Sequence, residues 1–171
     1  MLSSLEITIA VLSRAIKLNA WWALSSSRKD FDFSQPKIVS PQRSYTNTFG
    51  YTDFEWLASA DVYFISSKDK RFLLKYVLAL INSRLYFLWL YYRGKRKGEM
   101  LELYLTPLSQ IPIKEIPLSS QKHYVEIVDK IISMKQVNPN ANTSNLEQEI
   151  DQLVYELYEL TPEEIALVEA S

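Results

Sequence analysis

The sequence predicts an α+β chain: a mixed domain built around a long buried helix, followed by a C-terminal antiparallel helical hairpin. Three observations carry this. Lys37–Ser40 and Asp61–Ser66 are short runs rich in β-branched and aromatic residues, the composition of strands. Phe72–Tyr92 stays apolar for 21 residues, far beyond the length of a strand. Past Ser119, apolar residues recur at three- and four-residue steps in two successive blocks, the period of helices with one buried face.

Taken in order, Leu2–Leu18 has apolar spacing compatible with a helix that ends near Asn19 and Trp21-Trp22. A polar stretch, Ser25–Gln35, holds Arg28, Lys29 and Asp30. The first strand is bracketed by Pro36 and Pro41, and Tyr45–Trp56 is aromatic and polar with Gly50 as its expected turn. The run Phe72–Tyr92 is long enough to cross a bilayer. Lys75 and Arg84 oppose that reading, because each charge near the centre of a span costs roughly 2.5–3.5 kcal/mol. A buried helix broken near Asn82 is the better account. Gly94 is expected to end it in a left-handed cap.

Glu99–Leu105 then leads into Pro107, and Ile111–Pro117 is held extended by its prolines. Ser119 or Ser120 is placed to cap a helix with the stripe Tyr124, Ile127, Val128, Ile131 and Ile132. A loop follows at Gln136–Thr143. Ser144 with Glu147, and Thr161-Pro162 with Glu164, have the spacing of capping boxes. Two amphipathic helices joined by so short a loop pack antiparallel.

Composition narrows the function classes. The 171 residues include no cysteine, which excludes disulfides and thiolate metal sites and fits a reducing cytoplasm. Glu6 ahead of the short apolar run Ile7–Leu12 is not the start of a secretory signal. The net charge of −1 hides an asymmetry: the first 137 residues carry +7 and the last 34 carry −8. That split describes a basic body with an acidic helical tail.

Catalytic signals are sparse. Gly50, Gly94 and Gly98 are the only glycines and form no phosphate-cradling loop. His123 stands alone in the first turn of a surface helix, and the paired acids Glu163 and Glu164 suit a helix N-terminus. No set of acidic ligands with a lysine suggests a nuclease, so neither catalytic nor metal-binding residues are assigned.

Binding signals are stronger. Arg93, Lys95, Arg96 and Lys97 place four cations within five residues, flanked by the flexible glycines Gly94 and Gly98, suited to following a phosphate backbone. The same loop could be a solvated tip that keeps the protein soluble. Arg43, Tyr45, Thr46 and Asn47 offer donors for base edges and phosphates, although polar loops often share that composition. Lys68, Lys70 and Arg71 oppose the dipole at the start of the long helix, which implies either easy solvation or a nearby polyanion.

Several segments together resemble a known family. They are Trp21-Trp22-Ala-Leu24, Gln35–Arg43, Asn47–Gly50, Leu78–Ser83, Ile111-Pro-Ile113, Ile150–Tyr158 and Thr161–Ile165. The chain resembles the TaqI-like C-terminal specificity domain of adenine-specific DNA methyltransferases and type II restriction-modification enzymes, and it is akin to type I specificity subunits. The resemblance implies a sequence-specific duplex DNA recognition module without a catalytic domain. S-adenosylmethionine would then belong to a methyltransferase catalytic domain or subunit, which would be a partner beside duplex DNA. Expected boundaries are an N-terminal helix at 1–19, a target-recognition domain at 20–117, and a helical hairpin with capping helix at 118–171. A cytoplasmic protein with no membrane contact is expected. The alternative is a helical protein–protein interaction scaffold with no nucleic-acid role.

Overall fold

In the computed structural model, which describes residues 2–4, 7–9, 31–58, 61–67 and 69–171, nine strands and six helices occur among the described residues. The strands are β1 (Leu2–Ser4), β2 (Ile7–Ile9), β3 (Lys37–Pro41), β4 (Arg43–Ser44), β5 (Gly50–Thr52), β6 (Val62–Ser67), β7 (Lys95–Lys97), β8 (Met100–Glu102) and β9 (Pro112–Lys114). The helices are α1 (Leu74–Asn82), α2 (Arg84–Arg93), α3 (Leu105–Ser109), α4 (Leu118–Val137), α5 (Ser144–Tyr158) and α6 (Pro162–Glu169). This is the mixed α and β architecture that the sequence predicts.

The strands form three antiparallel sheets, ordered β2-β6-β3-β5, β4-β8-β7 and β1-β9. The expected strands near Lys37 and Asp61 are β3 and β6, paired with Ile38 opposite Ile65. Gln42 links the first two sheets. Its N–H donates to Asp61 O at 2.8 Å, and its carbonyl accepts Leu103 N–H at 2.9 Å. A continuous chain therefore passes from one sheet into the next.

Two local expectations change here. Leu2–Ser4 and Ile7–Ile9 are strands rather than parts of a helix, because β9 and β6 offer them edges to pair with. A partner across a sheet outweighs weak local spacing. The rest of that expected helix, with Trp21, Trp22, Arg28, Lys29 and Asp30, lies outside the described residues, as does Lys68. Gly50 opens β5 instead of forming a turn, since a Cβ there would meet Val39 Cγ2 at 3.0 Å across the sheet.

The long apolar run is two helices, broken at Ser83, whose extended backbone separates α1 from α2. Tyr76 to Ile81 are all buried, so α1 is the central core helix, packed against Ile38, Ile113, Tyr124 and Ile127. Among the described residues, no helix is long and apolar enough to cross a membrane. The break is stitched to the β4–β5 loop. Asn47 Nδ2 donates to Ile81 O and Ser83 O, both at 2.8 Å. Asn82 pairs with the backbone of Phe49 through both ends of its amide.

Helix starts differ in detail from expectation. Pro117 precedes α4, and Ser119 and Ser120 lie inside its first turn without capping it. Buried Gln121 instead donates to Arg71 O and Ile116 O and accepts Leu73 N–H, which supports the start of α1. At α5, Ser144 spends its hydroxyl on Asn142, so Thr143 takes the cap position and bonds Glu147 through its side chain. The Thr161–Glu164 capping box of α6 is present in full. Helices α4 and α5 run antiparallel: the Tyr124 hydroxyl donates to Leu153 O at 3.0 Å near one end, and Lys135 Nζ donates to Ala141 O at 2.7 Å near the other.

Candidate nucleic-acid interface

The basic segment after α2 is a β-hairpin. Lys97 pairs with Met100, Arg96 with Leu101 and Lys95 with Glu102, which leaves Gly98-Glu99 as a two-residue loop. Such loops favour glycine first, at positive φ, and Gly98 has φ +62°. Gly94 sets the exit from α2, but its backbone is extended (φ −78°, ψ −164°) rather than left-handed. It is required for a close approach: a Cβ there would lie 2.4 Å from Leu90 O.

Strand alternation sorts the cations by face. Lys95 and Lys97 share a face with Glu102, and Arg43 joins it from β4 because Arg43 also pairs with Glu102. Arg96 lies on the opposite face beside buried Leu101, with its guanidinium 3.9 Å from the centre of the Tyr91 ring.

Glu102 organises the first face. It is 6% exposed, and its Oε1 accepts Arg43 Nε at 3.3 Å and the Tyr104 hydroxyl at 3.0 Å. Its Oε2 lies 3.4 Å from Lys95 Nζ. Burial pushes the carboxyl up, but bonds from Tyr104, Lys95 and Arg43 outweigh burial and hold it below its ordinary range. Tyr104 and Glu102 in turn favour the charged form of Arg43. One buried carboxylate thus offsets two of the candidate contact cations, Arg43 and Lys95.

The rest of that set is placed as follows. Among the described residues, no carboxylate forms an ion pair with Arg93, Arg96 or Lys97. Arg93, at the end of α2, and Lys97 are exposed. Tyr45 is 66% exposed and Tyr92, beside Arg93, is 72% exposed. Asn47 is different: its donors are spent on the α1–α2 break, so it supports the loop carrying Tyr45. In the cluster before α1, Arg71 is neutralised by Asp69 at 2.6 Å and Glu115 at 2.7 Å, while Lys70 is exposed. Lys75 pairs with Asp129 and Arg84 with Asp151.

Glu102, Tyr104, Tyr91 and Tyr92 escape the sequence reading. A signal for Glu102 existed: taking Gly98-Glu99 as a two-residue loop puts Lys95 opposite it by counting outward. Nothing local could pair Arg43 with a residue 59 positions away.

Gly50 and Gly94 lie close against their own chain, and Gly98 is a hairpin tip with open space around it. Among the described residues, no three His, Asp or Glu side chains gather to hold a metal.

A search of curated proteins returned no match. The sequence pattern of the family described as the TaqI-like C-terminal specificity domain matches residues 9–113, running from β2 to β9 and leaving α4–α6 beyond it. With more than half of its length matched, the chain belongs to the TaqI-like C-terminal specificity domain family, the recognition rather than the catalytic part of adenine-methyltransferase and restriction-modification systems.

Proposed function

We propose that the β7–β8 hairpin, with β4 beside it, lies in the major groove of duplex DNA and supplies the contacts that select a sequence. A groove about 12 Å wide admits a two-stranded ribbon. The supporting observation is the gathering of Arg93, Arg96 and Lys97, cations without a carboxylate partner, on one hairpin and the adjoining helix end, while Arg71, Lys75 and Arg84 are ion-paired. Arg43, Lys95 and exposed Tyr45 complete the contact set, with Asn47 bracing the loop. Phosphate contacts fix register and base contacts give identity.

The remaining chemistry belongs to a partner. A methyltransferase catalytic domain or subunit would hold S-adenosylmethionine and modify the adenine. Helices α5 and α6, rich in Glu and Asp, would repel DNA and so face that partner.

Charge reversal tests this reading. Changing Arg93, Lys95, Arg96 and Lys97 together to Glu is expected to abolish duplex binding in gel-shift titration, and unchanged affinity would remove the hairpin from the interface. The scaffold alternative draws on exposed Leu118, Met134, Val137 and Leu167 of the C-terminal helices. Sedimentation with and without DNA separates the two, since a scaffold self-associates or ignores DNA.

A further inference from the structure

Arg43 differs from the free cations around it in how firmly it is held. Its Nε donates to Glu102 Oε1 at 3.3 Å and its Nη2 donates to the Tyr104 hydroxyl at 2.8 Å. That hydroxyl donates onward to the same Oε1 at 3.0 Å, which closes a triangle around the guanidinium. Lys95 occupies the other Glu102 oxygen. The triangle leaves Nη1 and one hydrogen of Nη2 without a partner, and the Arg43 side chain remains 38% exposed.

A phosphate contact requires none of this. Its strength comes from unneutralised charge that releases counterions, and a mobile side chain supplies it well. Base reading has the opposite requirement: a fixed guanidinium plane with two donors aimed together. Guanine presents two acceptors, O6 and N7, to such a fork on its major-groove edge. That edge carries no formal charge, so a carboxylate behind the arginine costs little there, whereas against a phosphate it would cancel much of the attraction.

Resting on the DNA-binding reading above, we infer that Arg43 is the base reader of this face, taking a guanine through O6 and N7. Glu102 and Tyr104 are its positioning residues, and Arg93 and Lys97 hold the phosphates. Two strand spacings and two residue rises put the Cα atoms of Arg43 and Lys97 about 12 Å apart, enough to reach from the groove floor to its wall.

The full chain is used to select duplexes from a random-sequence pool at low salt, beside Arg43→Ala, Arg43→Lys, Glu102→Gln and Lys97→Gln. The native chain is expected to enrich sites with an obligate guanine. Both Arg43 variants lose that preference by about 10- to 100-fold with the salt slope unchanged. Glu102→Gln weakens the preference, while Lys97→Gln keeps it and lowers the salt slope by about one. Arg43→Lys keeps the charge and carries the test should Arg43→Ala fail to melt cooperatively. A guanine preference that survives either Arg43 change, or affinity lost evenly across all sequences, overturns the inference and leaves the hairpin reading intact, whereas a native chain that binds duplex without sequence preference overturns both. A native chain with no affinity for duplex overturns both.

Discussion

Asp151 of α5 supplies the cap that α2 lacks in its own sequence: its Oδ1 accepts the backbone N–H of Arg84 at 2.8 Å, and its Oδ2 stands 3.5 Å from Arg84 Nε. Helix α2 restarts abruptly after Ser83, whose hydroxyl is turned back to Leu80 O. A donor at its first turn would otherwise be orphaned. The C-terminal hairpin therefore helps to set the axis of the helix that launches the basic hairpin.

Asp151→Ala is expected to cost about 1–2 kcal/mol in urea denaturation, the loss of an N-cap, while Asp151→Asn keeps an acceptor and stays within about 1 kcal/mol of the native chain. The pH dependence gives a second check. Burial pushes the Asp151 carboxyl above 3.8, and the bond and charge from Arg84 only partly oppose it. The folded state then binds the proton more tightly, so this group favours folding most below pH 3.8 and less as pH rises through its folded value. Glu102 has the opposite sign. Its stabilising effect is present above 4.5 and is lost as pH falls through its depressed value. Melting curves from about pH 3 to about pH 7 should show Asp151→Asn and Glu102→Gln changing the acid limb in opposite directions. Parallel shifts would contradict the assigned environments.

The hydroxyls of Tyr86 and Tyr158 lie 2.6 Å apart at the centre of a network that holds β9. Tyr86 also donates to Pro112 O, Tyr158 accepts Lys114 N–H, and Tyr76 donates to Lys114 O. Tyr158→Phe leaves the Lys114 N–H without its partner and is expected to cost about 1–3 kcal/mol. A double-mutant cycle with Tyr86→Phe should show a coupling of about 0.5–3 kcal/mol. Additive losses would mean that the two hydroxyls act independently.

These relationships explain what could be read from the sequence and what could not. Strands β3, β6 and β9, the broken apolar run and the Thr161 box are set by local composition, prolines and spacing, and all were legible. Edge strands β1 and β2 were not, because their conformation depends on partners far along the chain. Ser119, Ser120 and Ser144 have the right chemistry for caps, but Pro117 and Thr143 hold the N-cap positions of α4 and α5. At the interface, the cations were legible as a cluster and their pairing was not. Whether a lysine is free or neutralised depends on which strand lies across from it.

Gly94 and Gly98 should respond differently to substitution. Gly94→Ala drives a methyl group into the Leu90 carbonyl and is expected to cost about 1–3 kcal/mol, the range for overpacking. It should also re-aim β7 and weaken DNA binding. Gly98 has open space but positive φ, so Gly98→Ala should cost about 1 kcal/mol, with Asn tolerated better. Thermal melts of both variants decide this, and equal losses at the two sites would contradict the distinction between crowding and backbone strain.

Free and neutralised cations should separate in the salt dependence of duplex binding. Each lost phosphate contact lowers the slope of log affinity against log salt by about 0.9. Arg93→Gln and Lys97→Gln, at cations without carboxylate partners, are each expected to give that reduction. Lys95→Gln removes a charge already shared with Glu102 and should change the slope by much less. Lys122→Gln and Lys130→Gln, on the exposed side of α4, should leave it unchanged. Titrations across a series of salt concentrations with one duplex provide the measurement. Equal reductions at Lys95 and Lys97 would show that the Glu102 pairing is released when DNA binds, and equal reductions at Lys122 and Lys130 would move the contact surface away from the hairpin.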